Sequence, residues 1–446
     1  MKALVAATLA LIFVGLSPAG NAQGLRAGAA RVDITPDADA LPGNYEGILD
    51  PLYARSIVVD DGGTLAALIS VDAGAVPDGL WQSVTAALAD EPGIPPGNVL
   101  LTATHTHSAP RQPGEGYVQG IVESARLASE RLAPAMIGYG TGVSYINVNR
   151  NIIDPETRRW WEGPNYDGPS DKTVAVISFE TVDGTPIAVY YNYAMHAVIT
   201  GQLDLVSADV PGAASSYIED SFDNDVVALW SSGAAGDQNP LYFQQTYDLR
   251  EIRIRDYAAR GIDISNAMPP GGEGLDRQNP TVIRLMEQQK QMTRSMGQFL
   301  GEEVLHVMRG MDRKESAIRI AGGSRVVSCP GRERTNTGRA GFEGEYREAG
   351  PVEIRLGLLK LGDIMIGAVN AEVFNPIAQR LKRESPYART LLATLTNGSA
   401  RSGYIPHDAG YGMYTFEVLS SRLQPGCAES AIVDGLLDLM AEAGAE

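Results

Sequence analysis

Short apolar runs recur along this chain and are separated by polar residues and by turn-forming glycine, proline, asparagine and aspartate. Apolar runs bounded in this way are typical of buried strands. The clearest of them cover residues 65–71, 99–103, 174–179, 187–193, 226–230 and 364–369. We therefore expect these segments to form the strands of a sheet.

Segments with apolar residues at helical spacing lie between several of these runs. The best helix candidates are residues 79–88, 118–132, 213–221 and 430–442. Short strands that alternate with helices are typical of α/β and mixed α+β architectures. The pattern predicts an α/β fold with a mixed, layered sheet and flanking helices, built as a single large domain.

The middle of the chain has a different pattern. Residues 244–260 have a charged helical pattern, residues 268–274 form a proline- and glycine-rich loop, and a long helix follows Pro280. Methionines on that helix keep the three- to four-residue spacing of a packed face, so we interpret them, and His306 beside them, as structural. We expect a helical insertion at about residues 241–310.

The amino terminus has the pattern of a signal peptide. Lys2 is followed by an apolar stretch over residues 3–16, and then by small residues up to Ala22. A charged start, a short apolar core and a small-residue cleavage zone are typical of secretory signals. We predict that residues 1–22 are removed and that domain 23–446 is periplasmic or secreted; a retained amino-terminal anchor is the alternative.

Charge and cysteine content narrow the range of partners. The 36 basic residues face 54 acidic ones, and the formal net charge of −18 disfavours nucleic acid and anionic membranes. No transmembrane segment is expected after signal removal. Cys329 and Cys427 either pair in an oxidising compartment or remain two free thiols, and the sequence leaves both alternatives open, as it does the oligomeric state.

Two of the five histidines stand close together directly after an apolar run. His105 and His107 follow residues 99–103. Positions i and i+2 of a strand point to the same face, and neutral imidazole is a common zinc ligand. The pair is therefore a candidate metal site at a strand end, although two structural histidines in a strand-to-loop turn would give the same pattern.

Two further candidate ligands also follow predicted strands. His196 comes shortly after residues 187–193, and Glu372 shortly after residues 364–369. Ligands from distant segments that meet at strand ends are how a sheet assembles a metal pocket. Taken alone, Glu372 is equally consistent with a carboxylate at a helix amino terminus near Pro376. The standard zincin, nucleophile-elbow and P-loop motifs are absent.

The run from Ala103 to Pro110 resembles the Gly-Thr-His-Thr-His-Ser-Gly-Pro signature of the neutral/alkaline non-lysosomal ceramidase family. Further blocks that resemble this family follow in the family's order. They lie at residues 52–55, 70–72, 147–150, 195–196, 207–209, 370–374 and 403–406. The ordered set is far more specific than any single block.

The resemblance implies a catalytic domain with one Zn²⁺ per chain. Its implied ligands are His105, His196, Glu372 and Tyr404. Two neutral histidines and a carboxylate suit a zinc ion that acidifies water. Five further residues are implied near the reaction, as proton carriers, oxyanion donors or substrate contacts: His107, Arg150, Asp237, Asn239 and Tyr414.

This chain departs from the family pattern in two places. Asn239 stands where the family has a catalytic serine, so we expect zinc-activated water rather than a serine nucleophile, with the Asn239 amide as an oxyanion donor. The chain ends soon after Tyr404, so we expect no carboxyl-terminal immunoglobulin-like domain. Arginines in the insertion, Arg250, Arg253 and Arg255, suggest a polar or anionic ligand or, alternatively, a solvated helix face.

These observations predict an exported, zinc-dependent, ceramidase-like hydrolase. Its expected substrate is a small-molecule or lipid-like N-acyl compound whose amide bond is cleaved by zinc-activated water. An ester or lactone hydrolase would need the same groups and is the close alternative. A non-catalytic secreted binding protein that retains the metal is the alternative from another class.

Overall fold

The computed structural model describes residues 24–110, 115–264, 274–338 and 340–445. The predicted signal peptide lies outside the described residues, as does most of the predicted loop at 268–274. The predicted export is therefore not addressed by the fold.

The strands alternate with helices through most of the chain. The described strands are β1 (Arg26–Asp33), β2 (Gly47–Ile48), β3 (Tyr53–Asp60), β4 (Leu65–Val71), β5 (Val99–Ala103), β6 (Ala133–Val143), β7 (Asn147–Ile153), β8 (Trp160–Asn165), β9 (Thr173–Thr181), β10 (Pro186–Tyr193), β11 (Leu205–Val206), β12 (Val227–Ser232), β13 (Gln238–Pro240), β14 (Lys314–Glu315), β15 (Ile320–Arg334), β16 (Tyr346–Leu361), β17 (Ile364–Val369) and β18 (Arg389–Ala393).

The described helices flank these strands. They are α1 (Asp78–Asp90), α2 (Glu115–Glu130), α3 (Asp209–Asp220), α4 (Gln244–Ala259), α5 (Pro280–Arg309), α6 (Asn375–Glu384), α7 (Phe416–Ser420) and α8 (Ala428–Ala445). The predicted strands at 65–71, 99–103 and 364–369 coincide with β4, β5 and β17. Helices α4 and α5 lie in the region predicted as an insertion.

The larger sheet is mixed, as the sequence predicts. Its strand order is β12-β10-β9-β6-β1-β3-β4-β5, with β14 added beside β6. Within it, β4 pairs with β5 in parallel and β10 pairs with β12 in parallel, while the other pairs are antiparallel. The predicted α/β class with a mixed layered sheet is confirmed.

A second sheet has the order β15-β16-β17-β18, and its long β15–β16 hairpin was not predicted. Along β15, half-exposed and exposed residues alternate instead of forming an apolar run. Apolar runs reveal strands that are buried on both faces, so a hairpin with one solvated face escapes that criterion. Cys329 on β15 forms a disulfide with Cys427, which decides between the two alternatives left open above.

The fold has four layers in the order helices, larger sheet, smaller sheet and helices, and apolar side chains fill the space between neighbouring layers. One core fills the space between the two sheets, with Phe179 and Leu229 from the larger sheet against Leu359 and Ile366 from the smaller one. The outer face of the larger sheet packs against α1, α2, α3 and α5. The outer face of the smaller sheet packs against α6 and α8. Because the two sheets pack against each other, the ends of their strands have fixed relative positions, and so do the segments that begin there.

Candidate metal and active site

Three strand ends meet at one point of the molecule. His105 follows β5, His196 follows β10, and Glu372 follows β17. Short backbone contacts join the departing segments: Thr106 and Ala197 form a parallel bridge, and the His107 amide donates to the Ala197 carbonyl at 3.0 Å. Five antiparallel pairings separate β4 and β10 in the larger sheet, so β5 and β10 run in opposite directions along it, and the contacts between the departing segments are what join the two strand ends.

His105 reaches the site through its backbone conformation rather than through strand alternation. Strand β5 ends at Ala103, and His105 has φ 65°, in the left-handed region. The expectation that His105 and His107 share one face of a strand is therefore wrong, because neither residue lies on β5. Their imidazoles are nevertheless close, with 4.9 Å between ring centroids. A non-glycine residue at positive φ stores strain, and such residues cluster at functional sites.

His105 and His196 are oriented in the same way. The Nδ1 atom of His105 lies 2.7 Å from the Gly74 carbonyl, and that of His196 lies 3.0 Å from the Gln238 carbonyl. Because a carbonyl only accepts, each Nδ1 carries the proton, and in the neutral ring each Nε2 carries a lone pair. Both Nε2 atoms face Oε2 of Glu372, at 3.2 Å and 3.1 Å respectively.

This arrangement fits a cation. The Nε2 atom of His105 is buried, and apart from the Glu372 oxygen 3.2 Å away it has no polar partner among the described residues. Burial and the charge of Arg150 lower the pKa of His196 to about 4, so its ring is neutral near pH 7. Burial alone would raise the pKa of Glu372, but His105 and His196 lower it well below its usual range. A metal ion among these acceptor atoms would satisfy them all.

His107 completes a cluster of three histidines. The candidate ligand atoms of His105, His107 and His196 all lie within 4.8 Å of one another, so the three can hold a metal ion. The His107 ring lines a cavity, yet desolvation there, together with His105 and His196, lowers its pKa well below the usual value. A third imidazole therefore faces the cavity beside the other two.

Tyr404 is brought to the cluster by a bridge between neighbouring segments. Val373 and Ile405 pair in parallel, which sets Tyr404 next to Glu372. The Tyr404 ring stacks on His196, with 6.4 Å between ring centroids. Burial and the Glu372 carboxylate raise the pKa of Tyr404 well above its usual value. The phenol is thus protonated in the absence of a cation.

Arg150 lies beside this cluster and is fully buried. Its Nε donates to Glu417 Oε1 at 2.6 Å, its Nη1 to Asn239 Oδ1 at 3.1 Å, and its Nη2 to the Gly236 carbonyl at 2.7 Å. The guanidinium carbon lies 5.5 Å from the Tyr404 ring centroid. A guanidinium has five N–H groups, so these three contacts leave two for Tyr404 and for a ligand in the cavity.

The structure gives Asn239 other hydrogen bonds than those expected of an oxyanion donor. Its Oδ1 accepts from Arg150, and its Nδ2 donates to Glu162 Oε1 at 3.0 Å and to the Tyr247 hydroxyl at 3.3 Å. Both amide hydrogens are therefore directed at protein acceptors. Asn239 lines the cavity as an organiser of its neighbours.

Two of the sequence-predicted residues lie away from the cluster. The Asp237 carboxylate is buried and accepts from Asn149, Gln238 and the Asn375 amide, so its oxygens are occupied by the scaffold. Tyr414 ends a 3₁₀-helix in a left-handed conformation and is not among the described side chains that line the cavity. Neither side chain is among the described residues that line the cavity.

A cavity of about 1400 Å³ opens over the cluster. His107, Arg150 and Tyr404 line its inner end. Helix α4 and strand β8 form its outer wall with Tyr247, Glu162 and other side chains that sequence reasoning did not single out. No motif marked them, because a helix that covers a cavity with its charged face has the same pattern as a solvated helix. The volume exceeds that of a typical small-molecule pocket.

The fold and this cluster are those of a candidate metalloenzyme, and comparison with known proteins defines its family. The family model for the amino-terminal region of the neutral/alkaline non-lysosomal ceramidases matches residues 111–343. The chain therefore belongs to this family, as its sequence blocks suggest. The matched range contains Arg150, His196 and Asn239, while His105 and Glu372 lie outside it.

Curated relatives agree with this assignment. The chain is 27% identical over 300 residues to the neutral ceramidase of Pseudomonas aeruginosa, covering 58% of this chain and 45% of that protein. It is 25% identical over 314 residues to the neutral ceramidase of Drosophila pseudoobscura pseudoobscura, covering 63% of this chain and 42% of that protein. The matched regions thus span less than half the length of these relatives.

Solved structures show the same fold. A ceramidase in complex with C2 superposes with a TM-score of 0.70 at 18% identity, covering 94% of this chain and 76% of that one. The crystal structure of neutral ceramidase from Pseudomonas aeruginosa gives a TM-score of 0.68 at 18% identity, with 94% and 75% coverage. At this identity the likeness establishes the architecture alone.

Proposed function

We propose that this protein is a zinc-dependent hydrolase that cleaves the amide bond of N-acyl compounds. The observation that carries the proposal is the convergence of two oriented imidazoles on one carboxylate oxygen, at 3.2 Å and 3.1 Å, with no other polar partner for the His105 Nε2 among the described residues. Family membership supports the reaction type, and the cavity over the cluster supports access by a substrate.

His105, His196 and Glu372 would hold the metal, with Tyr404 as a fourth ligand or hydrogen-bond donor. A zinc ion bound by such residues acts as a Lewis acid and lowers the pKa of water toward neutrality. The Gly74 and Gln238 carbonyls hold the two imidazoles in the tautomer that leaves Nε2 available. Such outer contacts typically determine ligand orientation and metal affinity.

Arg150 and Tyr404 would stabilise the charge that develops on the substrate carbonyl oxygen. Both line the inner end of the cavity, and Arg150 is held rigidly by Glu417, Asn239 and the Gly236 carbonyl. Preorganised donors in a desolvated site are effective because they need no reorientation during the reaction. His107, which lines the cavity, would carry a proton from water to the leaving amine.

The direct test is hydrolysis of matched N-acyl amides and esters by the purified protein, with zinc content measured on the same samples. We expect amide hydrolysis that is lost, together with the zinc, in the His105→Ala variant. The control is His306→Ala, because His306 is an exposed histidine on α5. Hydrolysis that survives His105→Ala would refute the zinc mechanism.

The same experiment separates the other candidate functions. Preference for esters over amides with equal zinc dependence would identify an ester or lactone hydrolase. Zinc-loaded protein that is inert toward every amide and ester, yet binds them, would identify a binding protein. No helix within the described ranges is long and apolar enough to span a membrane. We propose a periplasmic or secreted location, to be tested by cell fractionation and amino-terminal sequencing.

A further inference from the structure

A carboxylate and a phenol are held side by side on the outer wall of the cavity. Glu162 on β8 and Tyr247 on α4 both line the cavity, and the single amide nitrogen of Asn239 donates to both, at 3.0 Å and 3.3 Å. Because one nitrogen contacts both oxygens, the relative positions of the two side chains are fixed. They form a polar subsite whose organiser is Asn239.

This subsite adjoins the reaction centre. The Asn239 Oδ1 accepts from Arg150 Nη1 at 3.1 Å, so the same amide connects Glu162 to the arginine beside the metal cluster. Arg150 has a carboxylate partner of its own, because its Nε donates to Glu417 Oε1 at 2.6 Å. A carboxylate offers about four acceptor positions, and Asn239 uses one of those on Glu162. Glu162 therefore retains acceptor capacity for a ligand.

The charged residues around the subsite have the opposite sign to that expected from the arginines of the insertion. Arg253 does not face the cavity: it is buried and forms two hydrogen bonds with Asp204, at 3.2 Å and 2.5 Å. Of the three arginines, Arg250 alone lines the cavity. With Arg150 the lining holds two arginines, and four acidic residues line the same space: Glu162, Asp248, Glu251 and Asp263.

Apolar side chains line the remainder of the cavity. They include Ile152, Val198, Phe243, Ile254 and Phe416. A hydrocarbon chain would lie against these residues, because transfer of apolar surface out of water is favourable. A substrate with one apolar part and one polar head would therefore place its head at the Glu162–Tyr247 subsite, next to Arg150.

We propose that Glu162, positioned by Asn239, is a specificity-determining residue that binds a hydrogen-bond-donating head group without negative charge on the N-acyl substrate. The head is an ammonium or a hydroxyl group, since both donate to a carboxylate. A carboxylate-bearing head is rejected by like-charge repulsion. This inference rests on the proposed hydrolase function and names the substrate class of that site.

The test uses N-acyl compounds that share one acyl chain and differ only in the amine part, which ends in an ammonium, a hydroxyl, a methyl or a carboxylate group. We expect kcat/KM for the ammonium and hydroxyl compounds to exceed that for the carboxylate compound by roughly tenfold, mainly through KM. Added salt should reduce the ammonium preference and leave the hydroxyl preference largely intact, which separates the two sources.

The variant Glu162→Gln should reduce the ammonium-to-carboxylate ratio by roughly five- to tenfold while zinc content is unchanged. Glu162→Asp, which keeps the charge, should retain the preference for ammonium over carboxylate. The control is Glu123→Gln, an exposed position on α2 that does not line the cavity. An unchanged ratio in Glu162→Gln, or a wild-type preference for the carboxylate compound, would overturn the proposal.

Calorimetric binding of the same compounds to His105→Ala separates this inference from the proposed function. Binding that follows the head-group order and depends on Glu162 would support the subsite even if wild-type protein hydrolysed nothing. Hydrolysis without any head-group order would support the enzyme and refute the subsite. The two proposals thus fail in different arms of the experiment.

Discussion

Two arginines lie at the same depth in this molecule and have different surroundings. Arg55 and Arg150 are each 3% exposed. The hydrogen bonds of the Arg55 side chain go to carboxylates: Glu219 at 2.9 Å and 3.2 Å, and Asp72 at 3.2 Å. Arg150 has one carboxylate partner, and its other acceptors are an amide and a backbone carbonyl.

The different partners indicate different roles: Arg55 supports the fold, and Arg150 faces the cavity. Arg55 lines no part of the cavity and holds the Asp72 carboxylate. Asp72 directly precedes a turn that contacts His105. In this turn the Ala73 carbonyl accepts from the His105 backbone amide at 3.0 Å, and the Gly74 carbonyl lies 2.7 Å from the His105 ring nitrogen. Arg150 opens onto the cavity and keeps donors free for a ligand. Burial alone therefore does not identify the role of a charged residue, whereas the set of its partners does.

The largest expected effect comes from removing the charge of Arg55. Arg55→Met would leave Glu219 and Asp72 as buried carboxylates without this partner, and we expect a loss of about 3–5 kcal/mol in the free energy of unfolding. Urea unfolding measures it. Adding Glu219→Gln should recover part of the loss, because one uncompensated charge is removed. If Arg55→Met were as stable as the wild type, Arg55 would not have the structural role that distinguishes it from Arg150.

Arg150→Lys tests the other arginine. Lysine keeps the charge but cannot reproduce the forked contacts, so kcat/KM should fall about 10²–10³-fold while zinc stays bound. Steady-state kinetics and metal analysis on the same folded sample check this. Wild-type kinetics in the lysine variant would show that Arg150 supports the fold only, as Arg55 does.

A smaller effect is expected where the scaffold adjoins the metal ligand. Asp72→Asn keeps the shape but loses the charge that pairs with Arg55, and the turn that orients His105 should loosen. We expect zinc affinity to fall about 10–100-fold, as for other outer-shell changes, measured by competition with a chelator. Glu219→Gln perturbs the same arginine away from that turn and serves as control; equal losses in both variants would argue against a specific role for Asp72.

The smallest expected effect is on the pH dependence of stability and comes from Asp50, a carboxylate with no arginine partner among its hydrogen bonds. Asp50 accepts from the Ser207 hydroxyl and the Ala208 amide, and burial raises its pKa to about 6. The native state thus holds this proton more tightly than the unfolded state, so its contribution is complete below pH ~4 and is lost as the pH rises to about 6. Because the Asp50 side chain is still partly exposed to solvent, we expect its contribution to the free energy of unfolding to be about 1 kcal/mol.

That pH effect is measured by chemical unfolding at a series of pH values between about 4 and 6. Asp50→Asn should remove this part of the pH dependence and leave the rest. If the free energy of unfolding of Asp50→Asn depends on pH as strongly as that of the wild type, another buried acid is responsible. Asp50 would then not illustrate how a carboxylate without an arginine partner behaves.

The sequence predicts the members of the histidine–glutamate cluster better than the residues that support them. His196 and Glu372 follow apolar runs that mark where a strand ends, so the sequence places both at strand ends, but the contacts that bring the departing segments together could not be predicted. The contacts of Arg55 and Asp72 could not be predicted, because a polar residue within a strand gives no sign of whether it pairs across the core. The Cys329–Cys427 disulfide joins positions 98 residues apart, and sequence carries no information on that distance.

The role of Asn239 shows the same limit. Its residue type excludes a hydroxyl nucleophile, which the sequence establishes. Its three partners come from strand β7, strand β8 and helix α4, and only the assembled cavity shows that both amide hydrogens are used. Interpretation by residue type alone therefore favoured an oxyanion donor, and the packed structure favours an organiser.

The most direct test of the central claim is anomalous X-ray diffraction at the zinc edge, from crystals of the protein grown with zinc. The account predicts one strong peak about 2.0–2.1 Å from Nε2 of both His105 and His196, and about 2.0–2.2 Å from a Glu372 oxygen. A peak bonded to His107 in place of His196, or no peak among these residues, would contradict it.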